Sequence, residues 1–150
     1  MYLTKKTHVK NWNFTKDEEK HEVTVKKGGE NHPKINPERV CDVTEEVIYW
    51  RKANAVHGWF VENCQDGVDE CQKTEIDRDK LVQLRDLCKE VITNKSTELL
   101  KPKSGFFFGS TEIDEYYYDQ ITRTFNALEE ELSINDSDDL AVTYFYRASW

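Results

Sequence analysis

Apolar positions recur at two different periods along this chain. Thr7–Phe14 and Glu22–Lys27 alternate Val and aromatic residues with polar ones, and Gly28-Gly29 follows as a turn, so both stretches read as short edge-type strands. Asn36-Pro37-Glu38 is a helix-start signal good for one short turn. From Thr44 the period becomes helical. Thr44-Glu45-Glu46 offers a cap and two acids for the first turn, and Val43, Val47, Trp50, Asn54, His57, Val61 and Cys64 fall on one stripe. A second stripe holds Ile48, Ala55 and Trp59. This predicts one long central helix over 44–64, apolar on two sides, ended by Gln65-Asp66-Gly67.

Asp77 can cap a second helix whose inner face is Leu81, Leu84, Cys88 and Val91, widened by Leu87 and Ile92. Gly105-Phe-Phe-Phe-Gly109 reads as a short strand. A third helix is expected from near Thr111, where Thr111-x-x-Asp114 resembles a capping box, with Tyr117, Ile121, Phe125 (or Thr124), Leu128 and Leu132 inward. Asn135–Asp139 is an acidic loop, and Leu140–Tyr146 a closing strand. The fold class is α+β: three main helices packed with a small antiparallel sheet formed by N-terminal, central and C-terminal strands. A single domain over 1–150 is expected, with a basic strand segment (1–35), a helical core carrying the GFFFG strand (44–132) and a C-terminal strand (140–150). Trp50, Trp59, Leu84, Leu87, Ile121 and Leu128 are the expected core.

Charge narrows the partners. The net charge of −8 disfavours general nucleic-acid or anionic-lipid binding. Residues 1–34 nevertheless carry eight Lys against five acids, whereas Glu112–Asp139 holds ten acids opposed by Arg123 alone. That acidic stretch is either a solvated helix face or a surface for a basic partner, such as a decoy for the phosphate backbone. No apolar run approaches the roughly 20 residues of a membrane span, and Met1-Tyr-Leu-Thr-Lys-Lys lacks a secretory signal's apolar stretch, so a cytosolic protein is expected. The cysteines at 41, 64, 71 and 88 have no tight pairing, and His57-x6-Cys64-x6-Cys71 matches no common zinc spacing. Free thiols, no metal and no cofactor are expected.

Two segments mix polar groups into apolar, aromatic surroundings. Arg51, Asn54 and His57 lie beside Trp50 and Trp59; Ser110, Thr111, Tyr117 and Tyr118 follow the Phe-rich segment containing Phe107. Asn54 and His57 either tie the central helix to a loop backbone or line a pocket wall. Free N–H groups at the start of the third helix could hold an anion, but Glu112, Asp114 and Glu115 already satisfy its dipole. There is no P-loop, G-x-S-x-G, H-E-x-x-H or calcium-loop pattern. No catalytic residue is assigned.

Lys52-x-Asn54-x-x-His57-x-Trp59-Phe60, running on to Cys71, together with Leu81–Cys88, Gly105-Phe-Phe-Phe-Gly109-Ser110-Thr111-Glu-x-Asp114-x-Tyr116-Tyr117 and the aromatic tail to Ser149-Trp150, resembles a widespread family of small bacteriophage proteins. Members often carry the label phosphoglycerate kinase, an enzyme far longer than this chain and built on glycine-rich nucleotide sites that it lacks. The resemblance covers residues 44–132 and the tail. It implies an accessory protein of the host cytoplasm acting against host defence. The expected function is to sequester a nucleotide-type small molecule, such as a cyclic dinucleotide, without catalysis. The two segments then share a cleft: Arg51 faces phosphate, Asn54 and Gln65 meet base or ribose edges, Tyr118 stacks, and His57, Trp59, Phe107, Ser110, Thr111 and Tyr117 complete the lining. The alternatives are an acidic protein that blocks a host nucleic-acid-binding or defence protein by contact, and a small nucleotide hydrolase. Homo-oligomerisation, with two protomers sharing one ligand, stays open.

Overall fold

A computed structural model describes residues 1–104, 110–134 and 141–149. The chain forms β1 (Tyr2–His8), β2 (Lys26–Lys27), β3 (Glu30–Asn31), β4 (Asp42–Tyr49), α1 (Asn54–Cys64), β5 (Lys73–Ile76), α2 (Arg78–Asn94), α3 (Glu115–Ser133) and β6 (Val142–Arg147). Four strands make an antiparallel sheet in the order β4-β1-β6-β5, and β2-β3 form a separate hairpin. The class is therefore α+β, with three helices and N-terminal, central and C-terminal strands.

The strands from the middle of the chain are β4 and β5, which form the two edges of the sheet; the Phe-rich segment expected to supply one, Gly105–Gly109, lies outside the described residues. The acidic loop 135–139 does too.

Four boundaries differ from the sequence reading. The expected helix over 44–64 splits. Asp42–Tyr49 is a strand paired along the whole of β1, and the helix begins only at Asn54. Val, Thr, Ile and Tyr suit a pleated strand, and a bulge places Val47 out of register, which breaks the alternation that marks a strand in sequence. Second, β1 covers Tyr2–His8 rather than 7–14, because Leu3 and Lys5 supply the inward positions that its two neighbours need. Third, of Glu22–Lys27 only Lys26–Lys27 is strand, paired with Glu30–Asn31 across Gly28-Gly29, both at positive φ. Fourth, α3 starts at Glu115, not near Thr111. Asp114 is its cap, accepting from the Tyr117 N–H at 2.9 Å. Asn36 caps the short turn Pro37–Arg39 as expected, whereas Asp77 precedes α2 without a side-chain cap bond.

One face of the sheet is covered by the helices. Leu3, Tyr144, Tyr146, Ile76 and Ile48 point into a core shared with Trp50, Phe60, Leu81, Leu84, Val91, Ile121 and Leu128. Leu87 is only partly buried at its margin. The α1 helix is buried at every position from Asn54 to Val61, so it is central. Phe60 stacks on Tyr146 with ring centres 4.0 Å apart. Trp50 Nε1–H donates to Thr124 Oγ1 at 2.8 Å, and that hydroxyl donates to the Gln120 carbonyl. Lys5, an inward position of β1, pairs with Glu131 of α3 at 3.0 Å, and the Tyr144 hydroxyl donates to the same carboxylate. No helix among the described residues is long and apolar enough to cross a membrane.

Candidate binding cleft

The residues that start α1 decide where the cleft lies. Trp50 is held in the core, so Arg51 and Lys52 emerge exposed just before the helix. Ala53 occupies the cap position and supplies no side-chain acceptor. Ala53 therefore gives the start of α1 no side-chain cap. This is the opposite of α3, whose N-terminus is closed by Asp114.

Asn54 then ties the helix to the chain that crosses it. Its Nδ2 donates to the Ser110 carbonyl at 2.6 Å and to the Lys103 carbonyl at 3.2 Å. The Lys103 stem lies directly on Gly58, where a Cβ would sit 2.9 Å from Lys103 Cδ, and its ammonium pairs with Glu62. The two segments expected to share a cleft do meet.

Between them is a slot lined by Lys52, Asn54, Ser110, Glu112, Asp114, Tyr116 and Gln120, with Ala53, Ala55, Val56, Tyr117 and Ile121 as its apolar part. Its cavity is about 20 Å³, room for one or two waters or one small substituent. Tyr116 is 45% exposed beside the slot. Gln120 is buried. Its Nε2 donates to Asp119 Oδ2 at 3.0 Å, and its Oε1 has no hydrogen-bond partner among the described residues.

The expected site residues divide accordingly. Asn54, Ser110 and Tyr117 line the slot, Tyr117 as a buried ring whose hydroxyl donates to the Leu100 carbonyl. Burial pushes that hydroxyl's pKa up to about 12, so it stays protonated. Arg51 is exposed near the slot without lining it. Thr111 is exposed beside Ser110, and Phe107 lies outside the described residues.

Four expected residues go elsewhere. Tyr118 is not a slot residue; it sits under Lys95, whose ammonium is 4.3 Å from the ring centre. One helical residue rotates the side chain by about 100°, which takes Tyr118 off the face that Tyr117 and Ile121 share. Trp59 packs edge-on against Phe60 and borders a different groove with Glu98–Lys101. Gln65 stands at the far end of α1, about 16 Å along its axis, and donates to Thr74 Oγ1. His57 is fully buried behind the slot. Its Nδ1 and the Tyr146 hydroxyl are 2.5 Å apart, and its Nε2 is 3.1 Å from Asp69 Oδ2. Desolvation pulls the His57 pKa below its ordinary 6.5, against the opposing pull of Asp69. The imidazole therefore clasps the loop after α1 to the sheet.

Tyr116 and Gln120 were not among the expected site residues. A signal for Gln120 was present: it lies on the same helical stripe as Tyr117, Ile121 and Thr124, where an amide among apolar neighbours needs a partner.

Among the described residues no group of three or more His, Cys, Asp or Glu side chains is placed to hold a metal ion. Comparison with protein-family models, curated proteins and solved structures finds no match to this chain.

Proposed function

We infer that the protein is a non-catalytic binder of a nucleotide-type small molecule, held where the uncapped start of α1 meets the start of α3. The observation that carries this reading is the asymmetry of the two helix ends around one slot. The α1 terminus has no side-chain cap at Ala53, with Lys52 beside it and Arg51 next in the chain, which suits a phosphate. The α3 side presents the partly exposed Tyr116 ring, a face on which a base stacks. Glu112 and Asp114 border the slot as well and keep phosphate to the α1 side.

His57 contributes no general base here, because its ring is fully buried against Tyr146 and Asp69. The ligand is bound and withheld rather than converted. A role against host defence, by sequestering such a molecule in the host cytoplasm, rests on the likeness of the Lys52–Cys71 and Gly105–Tyr117 motifs to small bacteriophage proteins.

The test is thermal shift and calorimetry on the purified chain with mononucleotides, linear dinucleotides and cyclic dinucleotides. Binding by at least one class, weakened by Lys52→Glu and by Tyr116→Ala with the melting temperature preserved, is the expected result. Binding that ignores both substitutions moves the site elsewhere, and no binding by any class overturns the reading.

A further inference from the structure

The four-stranded sheet has a second face. Leu3, Ile48, Ile76, Tyr144 and Tyr146 point into the one core that all three helices share, so none of the helices covers the opposite side. Side chains alternate along a strand, and the neighbours of those residues therefore point away from the helices. Register sets four of them in one row across the sheet: Tyr49 beside Tyr2, Tyr2 beside Arg147, and Arg147 beside Lys73. With strands about 4.8 Å apart, the row runs roughly 14 Å. Its rings are exposed, Tyr2 by 37% and Tyr49 by 43%, and they form a tilted pair with centres 5.1 Å apart. Its two cations are exposed as well. Lys73 reaches over Phe145, the next outward residue of β6, with its ammonium 3.9 Å from the ring centre. Farther along the strands Lys6 stands between Thr44 and Thr143. Of the acids on this face, Asp42 is taken up by His8 at 2.8 Å and Lys6 at 3.8 Å, and Glu46 and Glu75 stand on the two edge strands. The acid-rich α3 lies on the covered side.

We propose that this open face binds single-stranded RNA, with bases stacking on Tyr2 and Tyr49 and phosphates meeting Arg147 and Lys73. Aromatic rings displayed on an uncovered antiparallel sheet hold unpaired bases by stacking, and cations beside them hold the backbone. A patch for another protein gathers apolar residues at its centre and keeps charge to the rim. Here the charges share the row with the rings. The hydroxyls of Thr44 and Thr143 stand on the same face and offer partners to a ribose 2′-OH, which favours RNA over DNA. The net charge of −8 weakens attraction at long range, so contact on this face has to supply the affinity. None of the residues lining the slot between α1 and α3 belongs to the face, and the two sites stand or fall separately.

Fluorescence anisotropy tests this with labelled oligouridylate of roughly eight nucleotides, its deoxyuridylate counterpart and an RNA duplex of the same length. The single-stranded RNA is expected to bind, the DNA strand more weakly and the duplex not at all. Tyr2→Thr and Tyr49→Thr, which keep strand propensity, should each weaken RNA binding roughly tenfold. Log affinity should fall against log salt with a slope of about −1.4, two phosphates at about 0.7 each, and Arg147→Thr should halve it. Lys52→Glu and Tyr116→Ala, in the cleft, should leave RNA binding unchanged. Should a sheet variant not fold, ultraviolet crosslinking of the wild type to a 4-thiouridine oligomer decides, with crosslinks expected at Tyr2, Tyr49 or Phe145. Equal affinity for RNA and DNA overturns the choice of RNA. Absence of RNA binding at low salt, equal binding of the duplex, or crosslinks confined to other residues overturns the proposal and leaves the cleft untouched.

Discussion

The Asn54 side-chain amide lies 2.6 Å from the Ser110 carbonyl, and the same nitrogen reaches the Lys103 carbonyl at 3.2 Å. One residue at the start of α1 thus draws together two positions with six residues between them. The polar group that looked in sequence like either a tether or a pocket wall is both: the bonds that hold the crossing segment also make one side of the slot.

Asn54→Ala removes both donors without adding bulk. Destabilisation by about 1–3 kcal/mol is expected from two carbonyls losing their partner in a part-buried place. Urea unfolding measures it, and a change under about 0.5 kcal/mol, the range of an ordinary surface substitution, makes the tether idle.

Leu84 and Leu128 are both fully buried, on α2 and α3. Each truncation to Ala should cost about 2–5 kcal/mol, the sum of lost transfer free energy and a residual cavity. Leu87→Ala, at the margin of the core, should cost less than either. Equal losses at all three would place Leu87 deeper than this packing does.

His57 supplies a pH dependence with a definite sign. Burial holds its folded pKa below the ordinary 6.5. As pH falls past 6.5 the unfolded chain takes up a proton that the native ring refuses, so stability falls with acidification until the folded pKa is reached. Above 6.5 both states are neutral at this site and the contribution is constant. Unfolding free energies from about pH 7.5 down to 5 should decline more steeply in the wild type than in His57→Gln. Parallel slopes would show that His57 titrates alike in both states.

The thiols should react in a fixed order. Cys41 is exposed, while burial raises the Cys64 pKa to about 11 and the Cys88 pKa to about 12. Thiolate is the reactive form. Timed alkylation with mass spectrometry should label Cys41 first and Cys88 only on unfolding. Early labelling of Cys88 in the native protein would contradict its burial.

The helical parts of the fold were legible because their information is local. Leu81, Leu84, Cys88 and Val91 repeat at the helical period, and all four are buried on α2. Asp42–Tyr49 is not legible as a strand because its stripe of Val43, Val47 and Trp50 fits a helix by spacing, while its true neighbour is β1, about 40 residues earlier. Lys5 had the same difficulty in sharper form. A lysine at an inward strand position makes sense only beside Glu131, which sequence places 126 residues away. Of the cleft, Asn54, Ser110 and Tyr117 were visible as polar interruptions near aromatics. Tyr118 stands off the cleft because helix phase at the start of α3 depends on where the cap falls, and Asp114 rather than Thr111 sets it.

Strand β1 lies between β4 and β6, and its register with β6 joins Thr4 to Phe145 across 141 residues. During synthesis, then, the earliest of these four strands is among the last to be completed. The β1–β4 pair can form early, but its second edge waits uncovered until residues 142–147 have left the ribosome. Partnerships so distant in sequence form slowly, and an open edge invites pairing with other chains while it waits. The four-stranded sheet is therefore a late event by topology, and a slow emergence of β6 is the interval in which this protein is most exposed to aggregation.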